Sequence, residues 1–212
     1  RYNPSNELQS QIFLRKSMDG INWEPIQAIT DTGGMYWQPQ VAVDSDGYIH
    51  VLYFSYLHYE TFYKYYDGVS WSEPQSIFTV YTQDARILID KNDVIHLIWG
   101  QWLTSGRVYH RTITNGIWSE AEAVSDTTIR SGGIEAVLDE DNNIHTVFRA
   151  TLNPQHNYDI YYRKKNNEVW LPIERINQDT LYSNTPTLTI INGEPIVVWD
   201  QAEIDSIQNI NK

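Results

Sequence analysis

The sequence predicts an all-β chain built from one repeated unit, a four-stranded antiparallel sheet of about fifty residues. Three observations carry this expectation. Short β-branched and aromatic runs, punctuated by Asp, Asn and Gly, take the place of any helical periodicity. Four tryptophans each have an aliphatic residue six places on (Trp23 and Ile29, Trp71 and Ile77, Trp118 and Val124, Trp170 and Ile176), and the tryptophans are spaced by 48, 47 and 52 residues. A second marker keeps step with the first: an acidic turn followed by Ile-His, at Asp44 to His50, Asp90 to His96 and Asp139 to His145, with a degraded copy from Ile191 to Ile196. Two markers sharing one period identify a structural repeat.

The elements follow in order. Residues 11–16 read as a third strand and residues 23–29 as a fourth, so the chain opens inside a repeat. The next repeat is whole. Residues 40–43 form an apolar strand, the turn at Asp44 to Gly47 reverses it, and residues 49–54 return. After a variable loop, residues 62–66 run to the Asp67-Gly68 turn, and residues 71–77 close the unit. Asp-Gly between apolar runs is a strong hairpin signal. The first two strands are apolar on both faces, which a strand needs only where its sheet is covered on both sides. Pro25, Pro74 and Pro172 mark the last strand as an edge, because proline donates no ladder hydrogen bond. Sheets of this kind are the blades of a β-propeller. About four blade-equivalents are expected in a single domain or propeller fragment, at residues 11–29, 39–77, 84–124, 133–176 and 185–212. At the C-terminal end, residues 186–191 and 195–201 supply a first and second strand, and residues 205–212 another third. The ends either pair to close a small ring or belong to a larger propeller or an assembly. The redundant third strand favours the second arrangement.

Composition bounds the function. The chain has 212 residues, 41% hydrophobic and 20% charged, which is ordinary globular usage. Twenty-seven acidic against 15 basic groups leave a formal charge of −12, which disfavours nucleic-acid backbones and anionic membranes. There is no cysteine, so thiolate metal sites and cysteine nucleophiles are excluded. No apolar run among these 212 residues is long enough to span a bilayer, and none of them reads as a signal peptide. The expected location is secreted or at the cell surface.

The turns Ser17-Met18-Asp19-Gly20-Ile21-Asn22-Trp23 and Tyr65-Tyr66-Asp67-Gly68-Val69-Ser70-Trp71 resemble the Asp-box, or BNR repeat, of sialidase-like propellers, with one residue fewer between Asp and Gly. The copies before Trp118 and Trp170 keep little beyond the tryptophan. The resemblance implies the fold, since the box in that family is structural and lies away from the active face. Sialidases proper would add an arginine trio, a Tyr–Glu pair and an acidic Asp, with Arg-Ile-Pro near the first arginine. Arg-Ile-Pro does not occur here, and the activity is not carried over.

The candidate residues follow from position. His50, His96 and His145 occupy one place in three repeats, so a structural role bonding the Asp turn or the backbone is expected of them. The acidic turns are too short for calcium loops and read as hairpins. No metal or cofactor is expected. Tyr53, Trp99, Phe148 and Trp199 should fill the inner core. Aromatic residues that break the repeat, Tyr36, Trp37, Tyr81, Trp102 and Tyr182, fall in loops entering the first strand or leaving the second, where flat rings can stack on a sugar. The same face should collect Gln38, Gln40, Gln83, Asp84, Arg86, Glu135, Arg149, Asp200 and Gln201. Charged groups on otherwise apolar inner strands need partners or solvent. Of these, Asp84, Glu135, Arg86, Arg149 and Asp200 are the catalytic candidates; carboxylates such as Asp84 and Glu135 could do glycosidic acid–base work, which depends on their separation. Three readings result. The favoured one is an extracellular propeller that recognises a glycan or similar ligand. The alternatives are a glycoside-active enzyme and a non-catalytic scaffold that completes its blades with another chain.

Overall fold

The computed structural model describes residues 9–78, 82–101, 106–125, 130–151, 157–166, 168–178 and 181–202. The chain divides into two compact units, residues 1–82 and 83–212. Every element among the described residues is a strand, and no helix is long and apolar enough to cross a membrane.

In the first unit, β1 (Phe13–Leu14) pairs with β2 (Gln27–Ala28), and β3 (Tyr36–Val43), β4 (Ile49–Ser55), β5 (Glu60–Tyr66) and β6 (Gln75–Phe78) form an antiparallel meander. Ile12, Ile29, Ile49, Val51 and Tyr53 make its core. β4 is buried along its whole length, as its unbroken apolar run requires.

The second unit repeats the meander twice. β7 (Thr82–Ile89), whose first residue marks the boundary, β8 (Ile95–Gln101) and β9 (Arg107–Thr114) are followed by two short outer strands, β10 (Ile117–Trp118) and β11 (Glu122–Ala123), which both pair with β9. β12 (Arg130–Leu138), β13 (Ile144–Thr151) and β14 (Asp159–Asn166) carry β15 (Val169–Trp170) and β16 (Glu174–Arg175) in the same way. β17 (Tyr182–Ile191) and β18 (Glu194–Ala202) form a two-stranded hairpin. A core of Ile98, Val108, Ile134, Ile144 and Phe148 joins the two larger sheets, and Val147, Ile160 and Leu188 join the β12–β16 sheet to the hairpin. Trp170 sets its ring edge-on to His110 of the preceding sheet, so this tryptophan packs between repeats. Tyr53, Trp99 and Phe148 are buried as expected, and Trp199 packs against the core of the hairpin. Residues 205–212, expected as a third strand, lie outside the described residues.

Two expectations are corrected. The fourth strand is broken rather than continuous. Trp71 pairs with Tyr66, the chain leaves the ladder, and β6 resumes at Gln75. The β10–β11 and β15–β16 pairs repeat the break. The proline is one cause, but Ser119-Glu120-Ala121 breaks without one. There the Ser119 hydroxyl accepts the Thr112 N–H at 2.9 Å and replaces a ladder carbonyl, as Ser72 does for Tyr65. The first strands also begin earlier than expected. β3, β12 and β17 carry a bulge, with register shifts between Trp37 and Gln40, Gly132 and Glu135, and Asn184 and Thr187. Tyr36, Trp37 and Tyr182, expected in loops, therefore lie within β3 and β17.

Candidate functional site

The bulge positions the polar residues. Gln38, Gly133 and Thr185 occupy its crest with φ of 54°, 59° and 38°, and Asp84 in β7 has the same left-handed conformation, φ 58°. A bulge turns the residues around it out of the regular alternation. In the second unit this brings consecutive repeats into contact through their first strands. Asp84 Oδ2 accepts the Gly133 N–H at 3.0 Å, tying β7 to the crest of β12. Two residues further along each strand, Arg86 donates from Nε and Nη2 to both oxygens of Glu135, at 3.0 and 2.6 Å. Arg149, opposite Gly132 on β13, donates to the Asn184 side-chain oxygen and lies over the Tyr158 ring at 4.9 Å. Tyr182 meets Tyr158 edge-on at 5.8 Å, and Asp200 is registered opposite Asn184 on β18. Asp84, Arg86, Glu135, Arg149 and Tyr182 thus form one continuous polar and aromatic patch. Asp200 and Gln201 lie exposed at its border.

Glu135 has both oxygens engaged by one guanidinium, and Asp84 is committed to a backbone amide. The arrangement holds charge in place and supplies recognition groups. It does not by itself define an acid–base pair.

The first unit holds the other candidates. Tyr36 is a packing residue: it meets Tyr53 edge-on at 5.5 Å and donates its hydroxyl to Asp31 at 2.5 Å, and burial with that carboxylate raises its pKa to about 12. Trp37, 39% exposed, faces Tyr56 at 4.9 Å, and Tyr56 faces Tyr59 at 5.3 Å. Gln38 and Gln40 are exposed to partly exposed beside them, Gln40 turned onto the Pro39 carbonyl. Tyr81 and Trp102 lie outside the described residues, and the placement of Gln83 is not described beyond its backbone in β7.

The residues missed from the sequence are Tyr56, Tyr59, Tyr158 and Asn184. Tyr56 and Tyr59 sit in the turn between β4 and β5, a short connection in which two tyrosines flank Leu57 and His58. That clustering was the available signal. Asn184 becomes a partner of Arg149 only through the bulge, which leaves no mark in the residue pattern.

The repeated histidines bind their turns. His50 Nε2 reaches Asp44 at 3.1 Å and His145 Nε2 reaches Asp139 at 2.9 Å, while Tyr63 and Tyr162 hydroxyls meet the respective Nδ1 atoms at 2.6 Å. The other oxygen of each aspartate caps amides of the turn, as Asp44 does for Tyr48 and Asp139 for Asp141 and Asn143.

No protein-family model matches the chain, and no curated protein sequence matches it either. Solved structures do. A protein of unknown function from Dyadobacter fermentans superposes with a TM-score of 0.60 at 11% identity, covering 81% of this chain and 60% of that one. The leech intramolecular trans-sialidase gives 0.57 at 10%, covering 91% and 33%. The Penicillium chrysogenum α-L-arabinanase, solved with arabinobiose, gives 0.57 at 9%, covering 78% and 57%. The chain therefore spans between one third and three fifths of these neighbours. The structural neighbours include sialidases and arabinanases, and the chain shares their β-propeller fold.

Proposed function

We propose that this chain is the recognition portion of an extracellular propeller, made of about four blade-equivalents, that binds glycans. The observation that carries the reading is the aromatic series of exposed Trp37, partly buried Tyr56 and exposed Tyr59, with successive ring centroids 4.9 and 5.3 Å apart. The exposed Trp37 and Tyr59 rings, bridged by Tyr56, present apolar surface of the size of a sugar ring, and Gln38 and Gln40 follow Trp37 on the same strand. The glycan-active neighbours of the fold support it. A panel of sialylated and neutral oligosaccharides, screened by array and followed by calorimetry, tests it. Trp37→Ala or Tyr59→Ala is expected to weaken binding on the order of tenfold. Binding indifferent to both substitutions, or none to any glycan, would overturn it.

A second reading rests on the polar patch of the second unit, where two carboxylates and two arginines gather. It assigns glycoside chemistry to Asp84 and Glu135, with Arg86 and Arg149 holding an anionic sugar. Release of a chromogenic aglycone, abolished by Glu135→Gln and by Asp84→Asn, distinguishes it from binding alone.

A further inference from the structure

The histidine of the β7–β11 sheet departs from its two counterparts. In the neighbouring cases a tyrosine hydroxyl donates to the histidine Nδ1, which leaves the Nε2 proton for the turn aspartate. The equivalent of that tyrosine, two residues before the histidine's cross-strand partner on the third strand, is here His110. His110 Nδ1 lies 2.7 Å from Glu122 Oε1, and a carboxylate accepts, so Nδ1 carries the proton. The Nε2 of a neutral His110 is then a lone pair, and His96 Nδ1, 3.1 Å away, must donate to it. A neutral His96 is left with a lone pair on Nε2 pointing at Asp90 Oδ2, acceptor against acceptor. The distance opens accordingly to 3.7 Å, against 3.1 and 2.9 Å in the other two sheets.

The environment is closed. His96 is 3% exposed, and its Nε2 has no hydrogen-bond partner. The groups facing the pair are Asp90 from the turn before β8, Glu122 from β11, Lys165 from β14 and Glu168 from the turn after it. Lys165 bonds Glu122 at 2.6 Å and Glu168 at 3.1 Å, so its charge is already shared. A cleft of about 390 Å³, bordered by Asp90, His96, Asp141, Lys165 and Glu168, opens beside the turn. Because Nε2 itself is sealed from solvent, nothing larger than a proton enters the gap without moving the ring.

We propose that this sheet carries a proton-operated switch: uptake of a proton at His96 Nε2 converts the open gap to Asp90 into a charge-assisted hydrogen bond, draws the Asp90–Val94 turn onto the ring and reshapes the adjoining cleft. Asp90 organises that turn by accepting the Asn92 and Val94 amides, both at 2.9 Å, so a shift of its carboxylate moves the turn with it. Burial and the neighbouring His110 hold the proton affinity of His96 low, which places the transition on the acid side of neutral.

Imidazole nitrogen NMR on the whole chain tests this. At pH 7.5 the expected tautomers are Nδ1–H for His96 and Nε2–H for His50 and His145. On acidification the Asn92 and Val94 amide signals should move with the same midpoint as the His96 ring. His110→Tyr, which restores the tyrosine of the other sheets, should turn His96 to the Nε2–H tautomer. A wild-type His96 carrying Nε2–H at pH 7.5, or turn amides that titrate independently of its ring, overturns the proposal; the first of these needs no variant to fold.

Discussion

Arg86 and Glu135 show how a single pair can be costly to break and cheap to remove. Their side chains are 21% and 31% exposed and share two short hydrogen bonds. Arg86→Met leaves a half-buried carboxylate facing an apolar chain, and the expected loss is about 1.5–3 kcal/mol by urea denaturation. Replacing both, Arg86→Met with Glu135→Met, should recover most of it, since no charge is then stranded. A double variant as unstable as the single one would show that the pair contributes net stability. The two charges were legible in the sequence because each interrupts an otherwise apolar strand. Their pairing was not, because 49 residues separate them and the β12 bulge that helps align them leaves no mark in the residue pattern. The same holds for Arg149 with Asn184. Trp37 was legible as an exposed aromatic, but its partners Tyr56 and Tyr59 occupy a turn whose length varies between repeats and which offers no register to compare.

The hairpins between first and second strands and between third and fourth strands were legible, since Asp, Asn and Gly report the positive φ that such turns require. Bulges were not, because their crests are filled by Gln38, Gly133 and Thr185, residue types with nothing in common. That variety makes the crest a measurable source of strain. Thr185 is β-branched at φ 38°, a conformation costing on the order of 1–3 kcal/mol, against an entropic cost for glycine of roughly 0.5–1 kcal/mol. Thr185→Gly is therefore expected to be neutral or to stabilise by about 1 kcal/mol. Gly133→Ala should act oppositely. Its φ of 59° disfavours a Cβ by about 1–2 kcal/mol, and that Cβ would touch Arg149 Cγ at 3.4 Å. Paired thermal melts of the two variants check the sign. Equal shifts in one direction would show that the backbone at the crest relaxes freely.

Across the whole molecule, two effects of acid oppose each other. A formal charge of −12 means that protonation relieves self-repulsion, which favours the folded chain. Exposed charges are screened over about 8 Å at physiological ionic strength, so this gain is small. Against it stand His96, His110 and His145, all drawn below their ordinary 6.5 by burial, His96 to about 4. A depressed folded value means that the unfolded chain takes the proton first. The stability these histidines confer is thus whole above pH 6.5 and lost as the pH falls towards the folded values. For His96 alone the loss is on the order of 3 kcal/mol. The carboxylates act next. Burial alone would raise Glu122 and Asp139, but hydrogen bonds from His110 and Lys165, and from His145, Asn143 and Lys164, outweigh it; Glu122 falls to about 2 and Asp139 drops well below the usual carboxylate range. Their contribution is present above their unfolded values, near pH 4, and disappears below that. Because the buried histidines outweigh the screened surface, urea midpoints should be level above pH 7, fall from pH 6.5 to 4, and fall again below pH 4. Midpoints that rise between pH 7 and 5 would mean that relief of the net charge dominates and that the histidines are not held neutral.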